Sequence, residues 1–498
     1  VTAKRLSSAQ MQRVELDESQ AATSVLPLGD GPAGYDPGAR RPPAGRGPAG
    51  ASERASRPGR TTLLVVIGSV VVAGLVLSAV LAVLHAREAR RAEVIAAVPG
   101  LVRPLDTPPH ELWRAPVASA ADEAVLVSGD TLVAVDDTDG VWRLSGFDVT
   151  DGGRRWSLGL ADVVTAPRTT GVASTAGVTV RCPSDGGDVG PLVVCTLTGP
   201  DPQVWFGRGQ VVALDGLDGH EVGRWPVPGR LLGAARLADD VVVVRADDRG
   251  AVQVARHDAR TGAVRWTRPT GDTLPAWSTS VSVQVRATTS FVLVTGSAAA
   301  ALAAGDGTEL VPTAQFSSIR LVAVRDHLGS WTTAEGGWWR DASGARLFAL
   351  PALPAPAVTD DGSADDVIVV DTGAALQGVD ARSGQERWTL EQRLDAVALV
   401  SGRLVVAGED GYGVLNPVDG RVLWTTQVEG PLPWRPVSDG ALVLAPGVAP
   451  GGGPGLVGLG LQDGVRYWSV PLPEGVVGVS GVAGHLLVRT AHEVLVLG

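Results

Sequence analysis

The sequence predicts an all-β fold, a β-propeller of about eight four-stranded blades (seven to nine), preceded by a single transmembrane helix and a disordered tail. Three observations carry that expectation. A nine-residue phrase recurs down the chain at roughly forty-residue steps. Short apolar runs between its copies are cut by Asp-Gly, Thr-Gly and Ser-Gly turns, with no helical period. One stretch near the start is long, apolar and free of charge.

Residues 1–60 are rich in Pro, Gly, Ser and Arg, as in GDGPAGYDPGARRPPAGRGPAG, and hold no sustained apolar period. Burial there does not offset the entropy of ordering, so the segment reads as a disordered cytoplasmic tail. LLVVIGSVVVAGLVLSAVLAVL, residues 63–84, follows without a charge. As a helix it spans roughly 33 Å at 1.5 Å per residue, enough for a bilayer, and the transmembrane helix is placed at 61–85. A signal peptide has a shorter apolar core and a small-residue cleavage site, whereas this run leads into HAREARRAEV. Within the helix Gly74, Ser78 and Ala82 recur every four residues, a stripe that would let two helices approach and form a homodimer. Residues 86–108 are read as a stalk.

Arginine counts on the two flanks of the apolar run nearly balance: Arg46, Arg54, Arg57 and Arg60 before it, Arg87, Arg90 and Arg91 after it. Compartment chemistry decides. The two cysteines, Cys182 and Cys195, flank a Gly/Pro/Asp turn between apolar runs and are expected to close a hairpin as a disulfide, which persists outside the cytosol; the alternative is two buried free thiols. The chain is therefore read as a single-pass cell-membrane protein with its N-terminus cytoplasmic and its large domain, 109–498, extracytoplasmic. Forty-two basic against 53 acidic residues, a net charge of -11, exclude a duplex nucleic-acid binder working by phosphate neutralisation.

The repeat template is Asp, three residues, Gly, three residues, Trp. It fits DVTDGGRRW (Asp148, Gly152, Trp156), DARTGAVRW (Asp258, Gly262, Trp266) and DARSGQERW (Asp380, Gly384, Trp388) in full. NPVDGRVLW places Asn416 before Gly420 and Trp424, and GLQDGVRYW places Gly460 before Gly464 and Trp468. DGLDGHEVGRW keeps Asp215, Gly219 and Trp225 with two extra residues before the tryptophan. Two degenerate copies centre on Gly307, with Val311 in the tryptophan place, and on Gly344, with Phe348. From Trp225 the steps are 41, 45, 37, 40, 36 and 44 residues.

Each phrase follows two or three apolar runs, as in LDAVALVSGRLVVAGEDGYGVLNPVDGRVLW, which parses as the strands and turns of one four-stranded blade. The Asp carboxylate accepts backbone N–H bonds in a tight reversal and the Gly supplies a positive φ. The tryptophan lies on the outermost strand, where a flat ring covers the gap to a neighbouring sheet. The chain ends on HLLVRTAHEVLVLG with no phrase after it, while HELWRAPV, with Trp113, offers a Trp-bearing strand with no blade before it. The N-terminal strand is thus expected to complete the last blade. Eight phrases and this composite make nine units; eight is favoured, one degenerate or enlarged unit being counted as less than a full blade.

In this phrase and its spacing the sequence resembles the quinoprotein-type (PQQ-like) β-propeller repeat, whose blades carry an Ala-x-Asp-x-x-Thr-Gly-x-x-x-Trp signature with tryptophans docking between blades. The likeness covers about residues 112–498. It implies structural roles for the phrase residues already named: docking for Trp113, Trp156, Trp225, Trp266, Phe348, Trp388, Trp424 and Trp468, turns for Asp148, Gly152, Asp215, Gly219, Asp258, Gly262, Asp380, Gly384, Gly420 and Gly464. The same repeat builds dehydrogenases using pyrroloquinoline quinone with calcium, and the lipoprotein of an outer-membrane assembly machine. Those enzymes carry a disulfide between adjacent cysteines, an aspartate base and calcium ligands. Here the cysteines stand thirteen apart and no carboxylate matches those roles.

The seven histidines are scattered and read as solvent or turn positions. The chain is expected to be a non-catalytic binding or scaffold module for a protein or envelope component, with no catalytic residue, cofactor or metal. The alternative is a quinone- and calcium-dependent oxidoreductase of alcohols or sugars, and a further one a sensor signalling through a partner.

Overall fold

The computed structural model describes residues 98–117, 125–136, 142–160, 179–183, 190–199, 208–275, 281–312, 319–409, 411–428 and 432–498. The tail at 1–60, the transmembrane helix at 61–85 and the stalk up to residue 97 lie outside the described residues. The chain divides into two units, and the second, Val76–Gly498, holds every strand named below. Among the described residues no helix is long and apolar enough to cross a membrane.

Among the described residues the strands form eight sheets, six of four strands, one of five and one of seven, almost all of them antiparallel meanders. The sheet ending in Trp156 shows the pattern: Val125–Ser128, Thr131–Asp136, Arg143–Asp148 and Arg154–Gly159 pair in chain order. Its first two strands, VLVS and TLVAVD, are buried throughout and mostly apolar, because a sheet covers each face. Its outermost strand, RRWSLG, alternates, with Trp156 turned inward and its neighbours exposed. Asp240–Ala246, with Val241 to Val244 in succession, repeats the doubly covered inner pattern in β-branched residues that fit a pleated surface.

The seven-stranded sheet has one long strand, Glu221–Leu237, as its pivot. Its first half pairs with Arg208–Asp215 and its second with Asp240–Ala246, so one strand closes a unit and opens the next. In the five-stranded sheet the extra member is Thr359–Asp360, which pairs in parallel with Asp395–Val400. Neither degenerate copy is a reduced unit. Val283–Ala287 to Glu309–Val311, and Arg320–Val324 to Arg346–Leu350, each complete four strands.

The last sheet is closed from the other end of the chain. Glu111–Pro116 pairs with Glu493–Leu497, Trp113 standing opposite Val496, and His110 and Gly498 exchange backbone hydrogen bonds of 3.0 and 3.1 Å. The core lies in slabs between neighbouring sheets. Trp156, for instance, packs with Leu126 and Val133 of its own sheet and with Val193 and Val212 of the next.

Residues 98–105, within the described part of the segment read as a stalk, are packed against the sheets. Val102 N–H donates to Ser438 O at 3.0 Å, Arg103 N–H to Gly484 O at 2.8 Å and Leu105 N–H to Asp439 Oδ2 at 2.9 Å. Leu101 and Val102, each 1 % exposed, enter two separate intersheet slabs. This segment straps together the sheets on either side of the closing joint.

Candidate functional site

The phrase is a coupling made of two half-sites. In Asp258–Gly262 the Gly262 N–H donates to Asp258 O at 2.9 Å while Asp258 Oδ1 accepts from the N–H groups of Arg260 and Thr261 and from the Thr261 hydroxyl. Asp258 Oδ2 accepts from Arg265 Nη2 at 2.9 Å. Asp380 is held in the same way by Arg387, at 2.6 Å, and Asp148 by Arg155. The Thr261 bonds hold the Asp258 carboxyl below the usual carboxylate range; Arg155 and Arg387 are the largest cause of the same shift at Asp148 and Asp380.

An arginine seven residues after the Asp is therefore a member of the motif, and it stood in the sequence directly before each tryptophan of the complete copies. In the enlarged copy Arg224 turns to Glu221 instead. The copies that lack the first aspartate keep the same turn: Gly420 N–H to Asn416 O is 2.9 Å and Gly464 N–H to Gly460 O is 2.8 Å. Asp419 and Asp463, at the fourth position, each accept the N–H two residues on, at 3.1 and 3.0 Å. The Gly344 copy is one residue shorter, its turn closing from Gly344 N–H to Asp341 O.

The docking residues face forward along the chain. Trp113 Nε1 donates to Val149 O, Trp156 to Gly216 O, Trp225 to Ala259 O, Trp266 to Ala304 O, Trp388 to Pro417 O and Trp424 to Leu461 O, over 2.7 to 3.2 Å. The acceptor is always the residue after the first position of the next phrase. The ring lies on that phrase's glycine: a Cβ at Gly420, whose φ is +70°, would stand 2.6 Å from Trp388 Cδ2. Gly152, Gly219, Gly262, Gly307, Gly384 and Gly464 meet the preceding ring in the same manner, Phe348 serving at Gly384. Glycine is thus required twice, for the turn and for the neighbour's indole.

Trp468 breaks the series. In the sheet after it no phrase turn stands before the outer strand, Glu111–Pro116, which pairs with Glu493–Leu497, and the buried Nε1 of Trp468 has no hydrogen-bond partner among the described residues. A cavity of about 460 Å³ between Val470–Leu472 and Pro109–Glu111 marks the same joint.

Cys182 and Cys195 are joined in a disulfide, with both residues buried in the slab beneath Trp156. Two histidines correct the solvent reading. His257 stacks on Trp225 at 4.7 Å with Nδ1 3.0 Å from Gly262 O, and burial pushes its pKa down; His327 stacks on Trp339 at 5.2 Å.

A cavity of about 780 Å³ opens against three consecutive units. Arg181, Thr196 and Thr198 line it from one, residues 230–234 from the second half of the long strand, and residues 281–286 from the third. Three arginines, Arg181, Arg230 and Arg286, stand among these lining residues and no carboxylate does. Val283–Ala287 is the end strand of its sheet, with Gln284 and Arg286 exposed.

The family model described as outer membrane protein assembly factor BamB matches residues 192–326, which include most of the cavity's walls. Among solved structures, BamB from Moraxella catarrhalis is similar at 15 % identity over 78 % of this chain and 99 % of that chain, with a TM-score of 0.42. A quinohemoprotein alcohol dehydrogenase from Pseudomonas putida HK5 is similar at 11 % identity over 82 % and 81 %, with a TM-score of 0.39. A europium-containing methanol dehydrogenase is similar at 10 % over 78 % and 93 %, with a TM-score of 0.37. No curated protein matches the chain.

A calcium-bound quinone would need hard oxygen ligands gathered in one place. Among the described residues no group of three His, Cys, Asp or Glu side chains is placed to hold a metal, and the large cavity presents guanidinium groups instead. This donor set does not fit that cofactor.

Proposed function

We propose that this chain, whose repeats are of the PQQ-like propeller type, is a membrane-tethered extracytoplasmic module that binds a protein or envelope component without catalysing a reaction. The observation that carries the reading is the employment of the repeat's own acids. Asp148, Asp258 and Asp380 are each held by an arginine and by backbone N–H groups at a turn, so they serve as corners and not as a base. The matching family model is named for an assembly factor, which favours a protein partner. We count the ring as nine four-stranded blades, dividing the seven-stranded sheet at its long strand. The apolar run at 63–84 supports a single membrane helix, and its stripe of Gly74, Ser78 and Ala82 a homodimer.

The test is a pull-down from solubilised membranes with the tagged full-length chain, in which a stoichiometric envelope partner is the expected product. Adding calcium and pyrroloquinoline quinone to the purified chain is the counter-test. A bound-quinone spectrum with dye-linked oxidation of an alcohol or sugar would overturn the reading.

A further inference from the structure

We propose that the cavity over the three consecutive units beginning at Arg181 receives an acidic peptide segment in extended conformation. The proposal rests on the binding-module reading and names the class of its ligand. Charge is the first ground. The chain as a whole is acidic, at -11, yet the described lining of this cavity holds Arg181, Arg230 and Arg286 and no carboxylate. Arg181 and Arg230 each have a partner within the protein, whereas Arg286 is exposed and makes no ion pair among the described residues. A guanidinium fork of that kind recognises carboxylates in a directed, bidentate manner.

Backbone geometry is the second ground. Val283–Ala287 pairs with Phe291–Gly296 on one side only and ends its sheet, so the main-chain groups of its other edge stand outside the ladder; Val283 O lies against Gly233 of the long strand, and the edge beyond it is where an added strand would pair. Along that edge Gln284 and Arg286, two apart, point to one face, matching the two-residue period of an extended ligand. The volume, about 780 Å³, lies within the roughly 300–1,000 Å³ of sites that enclose a small ligand. The main chain would set the ligand's direction and the arginines would select acidic side chains.

The experiment is fluorescence anisotropy on the purified full-length chain with a labelled octapeptide alternating Glu and Val, against its Lys and Val counterpart. The acidic peptide is expected to bind, to weaken steeply as salt rises, and to lose at least tenfold in affinity in Arg286→Glu, while Arg286→Lys, which keeps the charge but not the fork, falls between that variant and the parent. Equal binding of the two peptides, or an unchanged affinity in Arg286→Glu, overturns the proposal. Displacement by free glutamate or inorganic phosphate at the peptide's own concentration would make this a simple anion site and remove the peptide assignment. A pull-down partner retained by Arg286→Glu, with no peptide binding by either protein, would discard the cavity and leave the module; peptide binding together with quinone-dependent oxidation would do the reverse.

Discussion

Replacing Gly420 by alanine separates the two demands that the phrase places on its glycine. The position has φ +70°, and a Cβ there would stand 2.6 Å from Trp388 Cδ2. Gly402 supplies the control: its φ is +66° and a Cβ there would meet nothing within 4 Å. Left-handed backbone costs a residue with a Cβ about 1–2 kcal/mol, a cost both variants share. Forcing a methyl group into a packed indole adds about 1–3 kcal/mol at Gly420 alone. At about 2 °C per kcal/mol for a large unit, Gly402→Ala should lower the thermal midpoint by about 2–4 °C and Gly420→Ala by about 4–10 °C. Circular dichroism melts of the purified full-length chain read the difference. In a Trp388→Ala background the excess should vanish, leaving Gly420→Ala as mild as the control. Equal shifts for the two single variants, or an excess that survives removal of the indole, would refute the coupling described here.

The orphaned indole predicts an asymmetry. Trp388→Phe discards a 2.7 Å bond to Pro417 O and should cost about 1–2 kcal/mol more in urea midpoint experiments than Trp468→Phe, which has no such bond to lose; equal costs would contradict it. Reducing the Cys182–Cys195 bridge, or replacing both cysteines by serine, opens a loop of 13-residue separation and should lower stability by about 3 kcal/mol, seen as a drop in melting temperature on adding dithiothreitol and absent in the serine variant. Arg387→Gln removes the cation that holds Asp380 ionised. Because that carboxyl is depressed in the folded state, its contribution is present above the unfolded carboxylate range and lost as pH falls through the folded value. The variant should therefore unfold more easily than the parent at neutral pH and match it in strong acid, and a gap that persists in acid would count against the ion pair.

Much of this architecture could be read from one dimension because its contacts repeat. Trp113 was identifiable as a closing strand through what it lacked, a blade of its own, and Glu111–Pro116 pairs with Glu493–Leu497. The arginines at 155, 265 and 387 were visible as letters but not as partners, since the template tracked only Asp, Gly and Trp. Asp419 and Asp463 escaped for a related reason: a turn satisfied by its backbone tolerates its side-chain cap at either of two positions. The strap at 98–105 was hidden because no period marks a segment that crosses sheets once. Arg181, Arg230 and Arg286 lie about fifty residues apart, and only the curl of successive sheets brings them to one cavity.

The forward pairing of indole and glycine has a consequence for how such a ring grows. Apart from the joint between Val311 and Gly344, which has no ring, the interior segments carry a socket for the predecessor and a plug for the successor that are alike in kind. A tandem duplication of one segment would bring its own fittings and dock on either side without altering its neighbours. Trp468 stands at a joint where this interchangeability stops, for the plug there meets the sheet in which Glu111–Pro116 pairs with Glu493–Leu497, braced by the strap. Lengthening or shortening the ring is thus a matter of interior segments, while that seam is bespoke and must be inherited whole.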